Sequence, residues 1–349
     1  MALATLNDDE CNEYKYIDRL NHTFDQFAKK YLKSSEVEFF IENETRSLMW
    51  HRASSEVKKE QRHLLSGVTK MYTAAVIFKL VDLHKISLET KISRFFHDSF
   101  MEQLHVKEAV DYGRTITIGE LLNQTTGIPD YFYQSDKWCS SIVERFPQDP
   151  SFTLEELIHL SKAKAPCFIP GKKAMDSDTN YQLLGAIIEK VTGMELEEVF
   201  ETIIYEPLGL KKTSLYTLDK EYDFGDIYYQ GELYQIPNIL ASQKAAGGMT
   251  ATLEENIVFL REFCNANLFD PSHTETIMKF QKMSLATSYG AGIMQVKMAG
   301  EEIYGHFGIT GSVSVYVPKH QIYISGVIHE VSYWKPILFC LAFVRCFND

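Results

Sequence analysis

Residues 64–81, LLSGVTKMYTAAVIFKLV, constrain this chain more than any other stretch: a short polar turn runs into a long apolar helix with Lys70 in its first turn. Any fold the chain adopts must be organised around that helix. At 349 residues the chain exceeds one typical domain and suits a two-lobed enzyme unit as well as two modules. Hydrophobic residues make up 45% and aromatics 13%, with no low-complexity tract, so a sizeable core and a fully folded chain are expected.

Enzymes of the S-x-x-K type place a serine in the first turn of such a helix and a lysine three residues on. Both side chains then emerge on one face, and the amine can take the hydroxyl proton. Here the residue three before Lys70 is Gly67, and Ser66 lies one step off, about 100° round the helix. The expected nucleophile is missing. Ser66 remains a displaced candidate whose hydroxyl turns away from the Lys70 face unless the helix start is remodelled.

The net charge of -12, from 35 basic against 47 acidic residues without basic clusters, argues against a nucleic-acid partner. The opening MALATLNDDECNEYKY lacks a basic segment followed by an apolar run, so it does not read as a signal peptide. A cytoplasmic protein is expected, with an exported form whose leader has been removed as the alternative. The longest apolar stretch, Pro336 to Val344, is too short to span a bilayer and is expected to be a core helix. Six cysteines (Cys11, Cys139, Cys167, Cys264, Cys340, Cys346) stand at wide spacings without a CxxC pair, as buried free thiols do. Eleven histidines include no HExxH, so neither a metal nor another cofactor is implied.

Taken in order, residues 9–33 show apolar positions three or four apart and predict a helix lying against a sheet. Val37–Glu42 and Ser47–His51 read as an antiparallel hairpin leading into the central helix. Thr115–Gly127 predicts a short helix ending at a glycine, and Thr153–Lys162 and Asn180–Thr192 predict longer ones, the latter closed by Gly193. Tyr222–Tyr234 reads as an irregular or hairpin-like excursion. Ala245–Thr252 is a small-residue turn before a helix at Leu253–Phe263, with Gly247 and Gly248 suited to close backbone approach. Strands are expected at Tyr289–Val296, Glu302–His306, Ser312–Val317 and Ile322–His329, then a helix from Tyr333. The expected fold class is α/β: an antiparallel sheet flanked by helices plus an all-helical lobe, with residues 1–95 and 240–349 forming the α/β lobe, residues 96–239 a mainly helical lobe, and the site between them.

Several ordered segments carry a family resemblance: GVTKMYTAAVIFKLVDLHKISL, ITIGELLNQTTGIPDY, PGKKAMDSDTNYQLLGAIIEKVTG, EPLGLKKT, AAGGMTA and YGHFGITGSVSVYVP. Over residues 35–345 the chain resembles the serine β-lactamase and penicillin-binding-protein superfamily, in the branch of class C β-lactamases, DD-peptidases and related esterases. The resemblance implies a standard site: an S-x-x-K serine as acyl acceptor, its lysine as base partner, a Tyr-x-Asn triplet from the helical lobe and a His/Lys-x-Gly strand opposite. Lys70 falls on the lysine, and His306, Phe307 and Gly308 fall on the strand motif. Gly67 falls on the serine, and the triplet falls on Asp176, Ser177 and Asp178, with an aspartate in place of the tyrosine. Both proton-handling positions are therefore altered, and a glycine has no side chain with which to form an acyl-enzyme.

The residues taken to carry chemistry are Lys70, Asp176 and His306, with Ser66 as the displaced nucleophile. Asp178, Phe307, Gly308, Gly247 and Gly248 are expected to line the pocket. Burial would lower the Lys70 pKa and free a neutral amine as a base. An Asp176 side chain pointing inward would instead pair with the lysine and keep it charged, whereas one pointing outward would serve as a loop residue or helix N-cap. Tyr112, Tyr131, Tyr133 and Tyr289 are candidates for an aromatic wall, though most tyrosines pack. Three functions fit: a retained small-molecule or peptide-like pocket used for non-covalent acid/base chemistry, a ligand-binding pseudoenzyme, or a disabled variant of an esterase or DD-peptidase-like hydrolase.

Overall fold

The computed structural model describes residues 8–31, 36–54, 61–132, 143–220 and 227–348. Its longer helices are α1 (Asp8–Tyr31), α2 (Thr69–Asp82), α3 (Leu154–Lys162), α4 (Asp178–Thr192), α5 (Leu253–Cys264) and α6 (Trp334–Arg345). One large sheet contains β1 (Glu38–Asn43), β2 (Met49–Ala53), β3 (Gln281–Lys282), β4 (Thr287–Tyr289), β5 (Met294–Met298), β6 (Glu301–Phe307), β7 (Val313–Val317) and β8 (Ile322–Val327). Its spatial order is β3-β4-β5-β6-β7-β8-β1-β2, antiparallel throughout. The N-terminal hairpin thus completes a sheet whose other six strands come from the C-terminal third, as expected of an α/β fold with an antiparallel sheet flanked by helices.

Side-chain alternation along β1 explains the layering. Phe39 stacks on Phe339 of α6 at 5.5 Å, and Phe27 of α1 meets the same ring at 4.6 Å, which seats both terminal helices on one face. Gly326 on β8 faces Phe39 in register, and any Cβ there would lie 2.1 Å from the ring. Glu42 points the other way, to Arg261 of α5. On that second face α2 is buried on almost every side, from Thr69 through Phe78, as an all-round apolar helix must be. Tyr72 stacks on Phe259 of α5 with centroids 3.5 Å apart.

The helical region is set against α2 through α4, which ends at Gly193 with φ 71°, the left-handed conformation anticipated for that glycine. Gly185 on α4 lets the short helix Lys244–Gly247 approach: a Cβ there would lie 2.5 Å from the Ala245 methyl. Stretch 96–239 is not purely helical, since it also carries the strand pair Val106–Lys107 and Val110–Asp111 and the hairpin Ile227–Tyr229 with Glu232–Tyr234.

Three expectations are corrected. The single strand expected over Tyr289–Val296 is two, β4 and β5, because Gly292 turns at φ 81° with its Cα directly against Ala74 of α2. The helix expected to run to Gly127 spans only Ile118–Leu122; Gln124 turns at φ 58° before that glycine is reached. Met249–Ala251, read as part of a turn, is a short strand bridging His63–Leu64 and Ser214–Leu215. Cys139 and Tyr133 lie outside the described residues, as do the side chain of Cys11 and the 222–226 part of the tyrosine-rich excursion. Cys167, Cys264, Cys340 and Cys346 are free thiols. Among the described residues no helix is long and apolar enough to cross a membrane.

Candidate active site

A cleft of about 930 Å³ opens where the start of α2 meets the β6–β7 turn, the 129–132 segment and the entry to α4. Ser66, Gly67 and Lys70 line it from the α2 side, Phe307 and Gly308 from the sheet, Asp130, Asp176 and Asp178 from the helical side, and Gly247 from the short helix. The turn into α2 is tightly made. Ser66 opens a 3-10 turn in the left-handed region, at φ 46°, and Ser312 Oγ donates to the Leu65 carbonyl at 2.5 Å. Gly308 must be small, because a Cβ there would come within 2.7 Å of the Ser66 Cβ.

Gly67 sits with its back to the sheet. A Cβ at this position would meet the Phe307 carbonyl at 3.0 Å and His306 Cε1 at 3.1 Å, so a side chain requires a shift of only a few tenths of an ångström. Nothing in the backbone demands glycine there, since φ is not positive.

Lys70 is 2% exposed, and its ammonium Nζ lies 2.6 Å from Asp178 Oδ1 and 3.5 Å from Asp176 Oδ1. Burial is the largest single influence on it and favours the neutral amine, but Asp176, Asp178 and Asp130 together outweigh burial and hold Lys70 above the ordinary lysine range. Of the two expectations for Lys70, a neutral base or a lysine kept charged by an inward Asp176, the geometry favours the paired, charged lysine. Burial pushes the Asp178 carboxyl up, against the pull of the Lys70 ammonium.

Asp176 is not an N-cap. Ser177 holds that position, and Asp178 begins α4. Gln124 Nε2 donates to Asp176 Oδ1 at 2.7 Å, while Gln124 Oε1 accepts from Ser177 N at 3.1 Å and from Asn180 Nδ2 at 2.5 Å. Asp130 accepts from the Phe132 amide at 2.6 Å and from the Asp178 amide. Gln124 and Asp130 thus set the geometry of both aspartates, and the residue-by-residue sequence reading passed over them. Their signal lay in the NQTTGIPD run, polar residues crowded around a Gly and a Pro.

His306 is placed differently from expectation. It is fully buried behind Gly67 and outside the cleft lining, with Nε2 3.1 Å from the Tyr289 hydroxyl and Nδ1 3.0 Å from the Phe307 carbonyl. Burial, reinforced by the Lys70 charge, holds the imidazole well below its ordinary range, so it is neutral. Strand alternation puts Phe307, not His306, toward the cleft. Gly248 also stays outside the lining, packed on the Lys244 backbone. Tyr289 and Tyr131 are buried packing residues, and Tyr112 packs edge-on to His105 away from the cleft. Among the described residues no three side chains are grouped to hold a metal ion.

The family model described as "Beta-lactamase" matches residues 44–332. A curated Salmonella paratyphi B protein named "Putative D-alanyl-D-alanine carboxypeptidase" is 34% identical over 155 residues, 43% of this chain and 33% of that protein. The match thus spans about a third of the length of that curated relative. Among solved structures, the D-stereospecific amidohydrolase from Streptomyces sp. superposes with a TM-score of 0.75 at 21% identity, covering 92% of this chain and 97% of that one. The D-amino acid amidase from Ochrobactrum anthropi SV3, solved with L-phenylalanine amide, gives a TM-score of 0.77 at 18% identity over 96% of this chain and 99% of that one. At these identities the structural likeness establishes the fold.

Proposed function

The chain belongs to the β-lactamase family of serine hydrolases, and we propose that it keeps the family cleft as a non-covalent site for a small, peptide-like molecule, without an acyl-enzyme at position 67. One observation carries this reading: Lys70 is locked to Asp178 at 2.6 Å beside a residue that has no hydroxyl for it to activate. Nucleophilic catalysis needs a positioned nucleophile and a base able to accept its proton. Gly67 supplies no nucleophile, and the paired carboxylates favour the protonated form of Lys70. The peptide-like class is drawn from the relatives, whose names carry amide- or peptide-cleaving activities.

Within this reading the acid/base work falls to the carboxylates. Asp176, whose side chain is 38% exposed at the cleft, is placed to accept a proton from a bound molecule, and Lys70 stabilises negative charge developing beside it. His306 takes no part, being neutral and sealed behind Gly67. The same ion pair also suits a pure binding module, in which Lys70 and the two aspartates only orient a ligand.

Treatment with a fluorescent penicillin and a fluorophosphonate, read by intact mass, tests the central claim. The wild-type protein is expected to show no covalent adduct, and Gly67→Ser with Asp176→Tyr to gain one. An adduct on wild-type Ser66 overturns the reading. Turnover assays on wild type and Lys70→Ala, using ligands recovered by metabolite pull-down, separate catalyst from binder; a ligand bound and left unchanged by both favours the binding module.

A further inference from the structure

Among the described residues, the charges that line the cleft do not balance. Lys70 and Lys164 stand against Asp130, Asp176 and Asp178. Both ammonium groups are turned to acceptors of the protein itself: Lys70 to Asp178 and Asp176, and Lys164 to the carbonyls of Asp130 at 2.6 Å and Tyr131 at 3.2 Å. Asp178 is close enough to neutralise Lys70 alone. Asp176 stands farther off at 3.5 Å, is held by one amide donor from Gln124, and has the more exposed side chain, 38% against 14% for Asp178. A carboxylate is thereby presented to the cleft with only part of its charge answered.

One wall of the cavity is of the opposite character. Phe132, Phe146, Ile227, Ile236, Ile239 and Leu240 line it, and all belong to a second apolar cluster separate from the main core. A partly exposed carboxylate in a cleft with an apolar wall disfavours a second anion, which would meet like charge, and a neutral donor answers none of its remaining charge. An ammonium group satisfies Asp176, and an apolar body attached to it covers the wall.

We propose that the cleft selects a protonated amine carried on an apolar body, the ammonium docking on Asp176 and the body lying along the wall formed by Phe132, Phe146, Ile236 and Leu240. This assignment rests on the non-covalent reading of the cleft and names the ligand class that the reading leaves open. Asp176 is then the residue that decides ligand charge, and Gln124 is the residue that aims it.

Titration calorimetry of the full chain with three probes of similar shape tests the assignment: 2-phenylethylamine, 2-phenylethanol and 3-phenylpropanoate. The amine is expected to bind about tenfold tighter than the alcohol, with the carboxylate weakest. In Asp176→Asn the amine is expected to lose about tenfold in affinity while the alcohol changes by less than about twofold, which reports an intact pocket. The wild-type ranking stands as a test even if that variant fails to fold. An alcohol or carboxylate that binds as tightly as the amine overturns the proposal, as does amine affinity unchanged in Asp176→Asn or no heat from any probe at millimolar concentration. The two readings fail separately. A covalent adduct with penicillin sinks the non-covalent cleft whatever the ranking, and a reversed ranking without an adduct sinks the amine assignment alone.

Discussion

Arg261 on α5 and Lys70 on α2 each carry a positive charge into the interior on the same face of the large sheet. Arg261 bonds to Glu42, donates to the carbonyls of Glu44 at 2.9 Å and Asn43 at 3.1 Å, and lies 4.3 Å from the centroid of the Tyr323 ring. Glu42 has a second cation, Arg46, at 3.7 Å, and neither Arg261 nor Glu42 lines the large cleft. Lys70 meets two carboxylates instead of one, and all three groups face the cavity. The first cluster is closed and lacks no positive charge; the second is open and carries surplus negative charge. A buried charge alone therefore identifies nothing. On the assignment proposed above, surplus charge on a cavity wall is what distinguishes a ligand site from an internal staple.

Removing the closed cluster's cation gives the largest expected effect. Arg261→Met leaves Glu42 buried against a half-satisfied environment and is expected to lower stability by about 4 kcal/mol in urea titration, with the cleft's ligand binding unchanged. A loss below about 1 kcal/mol would erase the contrast between the two clusters. Lys70→Met is expected to cost about 3 kcal/mol at neutral pH, less than Arg261→Met because Asp178 can take up a proton beside the open cleft. That cost should shrink as the pH falls. A pH-independent loss would mean that Lys70 acts through packing.

A third cluster sharpens the comparison from the acid side. Burial pushes the Glu38 carboxyl up, but His51 at 2.7 Å and His63 at 2.8 Å outweigh it and bring it down to about 2. Because the folded pKa is depressed, this stabilisation is complete above the unfolded value of 4.5 and is lost as the pH falls from there toward about 2. His329, buried beside His63, is pushed down to about 3, so charging it in the unfolded chain erodes stability across the range below 6.5. Glu38→Gln is expected to cost about 2 kcal/mol at pH 7 and to flatten the acid limb below about pH 4.5, followed by thermal melting across pH. The smallest effect belongs to the exposed pair Asp98 and Arg114, 2.5 Å apart. Asp98→Asn is expected to leave the melting temperature unchanged within error.

Much of the fold was legible because periodicity and capping are local. α1, α4, α5 and α6 follow from apolar spacing, the Gly193 cap and the run from Tyr333, and the N-terminal hairpin from alternating aromatics. The split between β4 and β5 was not legible. Gly292 turns there to meet Ala74 on α2, and nothing near Gly292 in the chain announces that contact. The site divides in the same way. That Gly67 and Asp176 fall on the family's serine and tyrosine positions is what the resemblance implies. That His306 faces away from the cleft depends on which side of β6 packs against α2, and the positioning role of Gln124 depends on a turn that brings it to Asp176.

From the sequence alone come an apolar helix with a lysine in its first turn, a glycine three residues before that lysine, and the order of the surrounding elements. These follow from composition and short-range pattern. The tertiary structure decided the charge on that lysine. Burial and two carboxylates act on it in opposite directions, and Coulomb energy varies with distance and local dielectric. Only the folded chain brings Asp178 to 2.6 Å and Asp176 to 3.5 Å, so only the folded chain sets two carboxylates against burial in favouring the charged lysine.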